Sequence, residues 1–192
     1  MPIPLGVLAV AGAGAAGGGG SFDLLETTVL GTATSTVTFS GLGSYSDYKH
    51  LQLRIVSRRP AGGDFLTSGS WGLQFNSDTA SNYSWHRLAG AGGSVLSDGG
   101  GSNSYGPDNV VHGVPNSPTG SFGASITDIL DFSNTSKYKT IRVLAGVSDS
   151  VKAEIDLNSG SWRNLNAITS ITIKERWGNF AVNSRFSLYG IK

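Results

Sequence analysis

The 192-residue sequence contains no cysteine. This absence excludes disulfide bonds and thiolate metal sites, and it leaves open whether the chain works in a reducing or an oxidising compartment. The fold must therefore be held by side-chain packing, with oligomerisation as a further source of stability.

Charged residues are scarce as well. They make up 14% of the chain, where a globular domain has about 25%. The 14 Lys and Arg residues nearly balance the 13 Asp and Glu residues. This balance produces no field strong enough to attract nucleic acid or an anionic membrane, so we expect neither as a partner. The 28 glycines, with many Ser, Thr and Asn residues, are typical of extracellular β proteins and virus structural proteins.

Patterns typical of enzymes are few. The histidines, His50, His86 and His112, lie in separate segments, and no two have the spacing of a zinc site. The chain has no G-x-S-x-G nucleophile motif. Its stretch GAGAAGGGG lacks a following Lys-Ser or Lys-Thr pair and a preceding strand, so no nucleotide-binding loop is indicated. We expect no enzyme, no cofactor and no metal, with a glycan depolymerase as the enzymatic alternative.

Two carboxylates, Asp128 and Asp131, are three residues apart in the segment TDILD. Paired carboxylates serve glycosidases when they face each other across a cleft, which one short segment does not establish. Asp78 and Asn76 add oxygens of the kind that calcium binds, but the spacing is not that of an EF-hand. We favour the interpretation that these acids lie at the surface or form turns.

The first 20 residues, MPIPLGVLAVAGAGAAGGGG, carry no charged side chain. A secretory signal has a basic stretch before its apolar part, and none precedes residues 5–10 here. The apolar part is also too short and too rich in glycine for a membrane span. Because glycine loses much backbone entropy on ordering, such a segment needs a partner to hold it. We therefore expect residues 1–21 to be an extended assembly arm with apolar anchors at Ile3, Leu5, Val7 and Leu8.

Beyond the arm, apolar and polar residues alternate with the period of β-strands. In the segment KHLQLRIVSR, for example, Leu51, Leu53 and Ile55 share one face. A helix over 124–131 is disfavoured by the β-branched residues in it. We expect residues 22–192 to form a single all-β domain, an antiparallel β-sandwich of jelly-roll type. The predicted strands are 23–30, 34–39, 49–58, 70–76, 82–88, 122–132, 139–148, 153–158, 167–176 and 184–192.

Two long loops are predicted, 60–70 and the Gly-, Ser- and Asn-rich stretch 90–109. Aromatic and arginine side chains cluster in the segment SNYSWHRLAG, residues 81–90, and in SGSWRNLNA, residues 159–167, which is also expected to be a loop. Such side chains are common at protein interfaces and in sugar-binding grooves. Core packing is the competing interpretation, and it is favoured for Trp85. The candidate ligand or interface residues are Trp71, Tyr83, Trp85, Tyr105, Trp162 and Arg163.

Four stretches carry a resemblance that covers most of the chain: MPIPLGVLAVAGA, FDLLETTVLGTATSTVTFSGLGSYSDYKHLQLRI, TDILDFSNTSKYKTIRVL and SRFSLYGIK. Together they resemble small structural proteins of tailed phages, including marine and freshwater phages. The resemblance implies a virion protein on the head surface or the tail, with other capsid or tail proteins as partners. By analogy it implies a homo-oligomer, with a trimer favoured, and the alternating stretch 167–173 is a candidate edge for pairing between subunits. The alternative is a tail-fibre module that binds a host receptor or surface glycan.

Overall fold

Eleven strands build the part of the chain that the computed structural model describes, residues 21–58, 72–107, 120–150, 153–175 and 178–192. These residues also contain one 3-10 turn, Leu42–Tyr45, and no α-helix. The predicted all-β class is thereby confirmed, and the helical alternative for 124–131 is wrong. The strands are β1 Asp23–Val29, β2 Thr36–Ser40, β3 His50–Ser57, β4 Leu73–Phe75, β5 Tyr83–Ala91, β6 Ser94–Asn103, β7 Gly123–Leu130, β8 Lys139–Ser148, β9 Ala153–Trp162, β10 Ser170–Lys174 and β11 Arg185–Ile191.

The strands form two antiparallel sheets. The large sheet has eight strands in the order β1-β11-β3-β7-β8-β9-β5-β6, and the small sheet has three in the order β2-β10-β4. Inward-facing side chains of both sheets belong to one hydrophobic cluster. The described residues therefore form a two-layer β-sandwich in which the small sheet covers part of one face of the large sheet.

Period-two alternation explains the core. Leu51, Leu53 and Ile55 of β3 are all buried, as their spacing predicts. From the small sheet, Phe39 and Ile171 are fully buried against them in the same cluster. Each such side chain stabilises the fold by about 1.5–3 kcal/mol relative to leaving it in water.

The stretch 167–173 is not a sheet edge. Its strand, β10, lies between β2 and β4, and Ile171 is paired with Phe39 on one side and with Phe75 on the other. Both rows of backbone groups are therefore used within the chain. The prediction that this stretch pairs between subunits is wrong for that reason.

Glycine-rich sequence misled the prediction of a long loop over 90–109. Residues Ser94–Asn103 form β6, which pairs with β5 across a turn where Gly92 has a φ of 57°. Gly and Ser give little indication of a strand in the sequence, so the conformation of this segment is set by its pairing with β5. Strand β9 also runs further than predicted and places Trp162 at its last position rather than in a loop. The predicted loop 60–70 and residues 1–20 of the arm lie outside the described residues.

Candidate interaction surface

The face of the large sheet turned away from the small sheet carries a row of apolar side chains. Ile126 of β7 is paired with Leu144 of β8, Leu144 with Leu157 of β9, and Leu157 with Leu88 of β5. Ile155 lies two residues from Leu157 on the same face. These five side chains are 44–60% exposed. We call them the apolar ladder.

The apolar ladder departs from the usual pattern of an antiparallel sheet. Such a sheet buries one face and places polar residues on the face that meets water. In β8, the inward residues Val143 and Ala145 are buried, yet the residue between them, Leu144, is also apolar. The same holds for Ile126, which lies between the buried Ser125 and Thr127. Contiguous exposed apolar patches are typical of interaction sites, ligand-binding grooves and aggregation-prone surfaces.

A groove of about 520 Å³ runs beside the apolar ladder. Ala124 and Gly146 line it along with Ile126, Leu144 and Ile155. A Cβ atom on Gly146 would lie 3.0 Å from the carbonyl oxygen of Glu154, so a larger residue would meet the backbone of β9. The small residues therefore leave a depression that apolar side chains of a partner can enter.

A polar row borders the apolar ladder on its other side. Gln52 Nε2 donates to Asp128 Oδ1 at 2.8 Å, and Arg142 approaches Asp128 Oδ2 at 3.2 Å. Arg54 Nε donates to Gln52 Oε1 at 2.8 Å. Both oxygens of Asp128 are thus engaged in this network. The result is a surface with one apolar band and one charged border.

Asp131, the second carboxylate of TDILD, lies in the turn after β7. It has a φ of 52°, and its backbone N–H donates to His50 Nδ1 at 2.9 Å. A hydrogen bond from Lys137, 2.7 Å away, holds the pKa of Asp131 below its ordinary value. This is the turn-forming role that the sequence favoured over a glycosidase pair.

The structure brings Tyr83 and Trp162 together in the core. Their ring centroids are 6.4 Å apart, and both side chains are almost fully buried. The N–H of Phe75 donates to the Tyr83 hydroxyl at 2.9 Å. Burial raises the pKa of that hydroxyl above its ordinary value. Neither ring offers a face to a ligand, which corrects their assignment as ligand or interface residues.

The remaining candidates are scattered. Trp85, Tyr105 and Arg163 are partly exposed. Arg163 donates to the carbonyl oxygens of Ser81, at 2.9 Å, and Gly101, so it links the start of β5 to β6. The other predicted site residues, Trp71 and the arm anchors Ile3, Leu5, Val7 and Leu8, lie outside the described residues.

A buried ionic cluster, which the sequence did not reveal, lies on the inner face near β6. Arg87 forms two hydrogen bonds of 2.8 Å with Asp98 and lies 3.9 Å from Asp156. Arg87 and Asp156 are almost wholly buried. The cluster joins β6, β5 and β9, the last three strands of the large sheet. Its chemistry is that of a structural clamp, which explains how a glycine-rich strand keeps its register.

Comparisons with protein-family models, curated proteins and solved structures gave no match. Within the described ranges, no group of three or more His, Cys, Asp or Glu residues could hold a metal ion. No helix in those ranges is long and apolar enough to cross a membrane.

Sequence reasoning missed the apolar ladder, although a signal was present. In β7, β8 and β9, the residues that point to the outer face of the sheet include Ile126, Leu144 and Ile155. In a strand with one solvent-exposed face, such positions carry polar residues. A search for strands that are apolar at both the inward and the outward alternating positions would have indicated this face. Which strands lie side by side, however, is visible only in the fold.

Proposed function

We propose that this chain is a virion structural protein of a tailed phage, an accessory surface component that docks on the head or tail through its N-terminal arm. The observation that carries the assignment as a surface component is the apolar ladder. Five half-exposed aliphatic side chains in one patch are typical of a surface that another chain covers. Covering it stabilises an assembly by about 25 cal/mol for each Å² of apolar surface removed from water.

Three further features support the proposal. The sequence resembles small structural proteins of tailed phages over most of its length. The described residues form an all-β sandwich, an architecture that hosts many functions and therefore only permits this one. The carboxylates of TDILD have partners within the chain, as expected of residues that maintain the fold.

Finer points of the proposal stay predictions. The jelly-roll type is one of them, because the described strands divide into sheets of eight and three. The extended arm over residues 1–21, the homo-oligomer with a trimer favoured, and the localisation in the virion are others. Each depends on the resemblance and on analogy with other particle proteins.

A tail-fibre module that binds a host receptor or surface glycan is the second candidate. Trp85 and Tyr105 favour it, because they are the predicted aromatic residues within the described ranges that are partly exposed. An aromatic side chain with one accessible edge suits both protein and sugar contacts. Binding of the purified protein to a glycan array, lost in Trp85→Ala and retained in the exposed control Tyr138→Ala, would favour this function over a purely structural one.

The main proposal is tested on particles from cells infected by the phage that encodes the chain. We expect an antibody against the purified protein to detect it in gradient-purified particles. Protein that stays at the top of the gradient would contradict the proposal. A chain lacking residues 1–20 should fold, as judged by circular dichroism, and should not join particles.

A second set of variants tests the apolar ladder itself. The pair Leu144→Ser and Leu157→Ser should reduce incorporation at least about tenfold, because it removes two aliphatic contacts. The matched control is Leu165→Ser with Val182→Ser, which changes two side chains of similar exposure elsewhere. Equal incorporation of both double variants would exclude the ladder as a docking surface.

A further inference from the structure

The chain enters the sandwich on the same face as the apolar ladder. Phe22 lies two residues before Leu24, which is paired with Tyr189 and exposed on this face. The guanidinium carbon of Arg54 lies 5.2 Å from the centroid of the Phe22 ring and 4.4 Å from that of Tyr189. Arg54 is in turn paired with Ile126, the first member of the ladder. Phe22, at the start of the domain, therefore lies on the same face of the large sheet as the ladder.

The distance from this entry point to the ladder can be spanned by the intervening residues. Strand β1 lies three positions from β7 and five from β9 in the large sheet, which is roughly 14 to 24 Å at about 4.8 Å per strand. Residues 9–21 are rich in glycine and alanine. Any random coil of that length has a mean span of about 20 Å, and any chain of that length reaches about 45 Å when fully extended.

The chemistry of the two surfaces also matches. Residues 1–20 contain no charged side chain, and their apolar residues Ile3, Leu5, Val7 and Leu8 fall within six positions. The row from Ile126 to Leu88 is likewise uncharged. The groove of about 520 Å³ beside it offers depth for aliphatic side chains. A tether this short gives an effective concentration near the millimolar range, so a modest affinity suffices for contact within one chain.

We propose that residues 3–8 bind the apolar ladder of their own chain in the free subunit. The proposal rests on the proposed function only for the role of the arm in assembly. In the free subunit, residues 3–8 and the apolar ladder then cover each other. This protects the subunit from association until a particle partner displaces the arm. Arm and partner compete for the same ladder.

The absence of cysteine allows a direct test by disulfide trapping in the full chain. We expect Leu5→Cys with Leu144→Cys to form an intrachain disulfide under mild oxidation at low protein concentration. The matched control is Leu5→Cys with Thr38→Cys, since Thr38 is exposed on the outer side of the small sheet. The ladder pair should be trapped at least about tenfold faster than the control pair, because its effective concentration is higher.

Equal trapping rates for the two pairs would overturn the proposal. A disulfide that links two chains, with a rate that rises with protein concentration, would also overturn it and assign the ladder to a second copy. These measurements need no particle, so the proposal can fail while incorporation into virions succeeds, or the reverse.

A nitroxide label at Leu5→Cys supplies an independent readout. We expect it to broaden the methyl resonances of Ile126 and Leu144 and to leave those of the buried Val37 sharp. Mixing the nitroxide-labelled chain with an excess of chain that carries no label should not reduce the broadening. Broadening that disappears on dilution, or that is absent from the start, would contradict binding within one chain.

Discussion

The indole Nε1 of Trp162 donates a hydrogen bond of 2.8 Å to Oδ2 of Asp78. This contact ties the last residue of β9 to the turn after β4, so it joins the large sheet to the small one. Asp78 also accepts hydrogen bonds from Asn82 Nδ2 at 2.8 Å and from the backbone N–H of Ala80 at 2.9 Å. Burial raises the pKa of Asp78, but the hydrogen bonds outweigh burial and leave the pKa below its ordinary value.

Replacement of Asp78 tests this junction. Asp78→Asn removes the charge that accepts these hydrogen bonds, and we expect it to lower the free energy of unfolding by about 1–3 kcal/mol at neutral pH. Because the pKa is lower in the folded state, the unfolded state takes up protons first as the pH falls. The wild type should therefore lose this stabilisation in acid, as the pH falls through the folded-state pKa. Urea unfolding between pH 7 and pH 3 should show the two proteins converging, whereas the exposed control Asp47→Asn should follow the wild type.

The buried hydroxyl of Tyr83 is a second target. It accepts the N–H of Phe75 at 2.9 Å and donates toward the carbonyl oxygen of Asp78 at 3.3 Å. Tyr83→Phe keeps the ring but leaves a buried N–H without its acceptor, which should cost about 1–3 kcal/mol. Tyr138→Phe, at an exposed position, is the control. Equal denaturation midpoints for the two variants would contradict the role assigned to the hydroxyl.

A close approach between Gly190 and Tyr48 predicts a packing defect. A Cβ atom on Gly190 would lie 2.5 Å from the Tyr48 ring. Gly190→Ala should therefore force the ring to move and lower the melting temperature, at a cost of about 1–3 kcal/mol. Gly43→Ala places a Cβ atom in open space and should change the melting temperature little. Thermal unfolding by circular dichroism compares the two.

Two variants of the ionic cluster around Arg87 should differ in how much they lower the free energy of unfolding. Arg87→Met removes the guanidinium that faces the buried Asp156, and loss of one partner from a buried ion pair costs about 3–5 kcal/mol. Asp98 is 40% exposed, so Asp98→Asn should cost at most about 1 kcal/mol. Hydrogen exchange should also become faster in β6 for Arg87→Met. A larger loss of stability in Asp98→Asn than in Arg87→Met would reverse this assignment.

Most strands could be predicted because alternation is a local property. The range predicted for β8, 139–148, is the one observed, and the inward residues of β3 were identified correctly. Strand β6 could not be predicted, since its Gly and Ser residues carry no alternation. Its conformation comes from pairing with β5 and from the clamp between Arg87 and Asp98. These contacts join positions that no local pattern connects.

The sequence by itself determined the all-β class, the inward side of the main strands and the uncharged character of residues 1–20, because each depends on residue type and spacing alone. Only the tertiary structure decided that Tyr83 and Trp162 are core residues, since their burial depends on what packs above them. Only the order of the strands placed Ile126, Leu144, Leu157 and Leu88 in one row. Side chains far apart in the chain become a surface when strand pairing brings them to neighbouring positions.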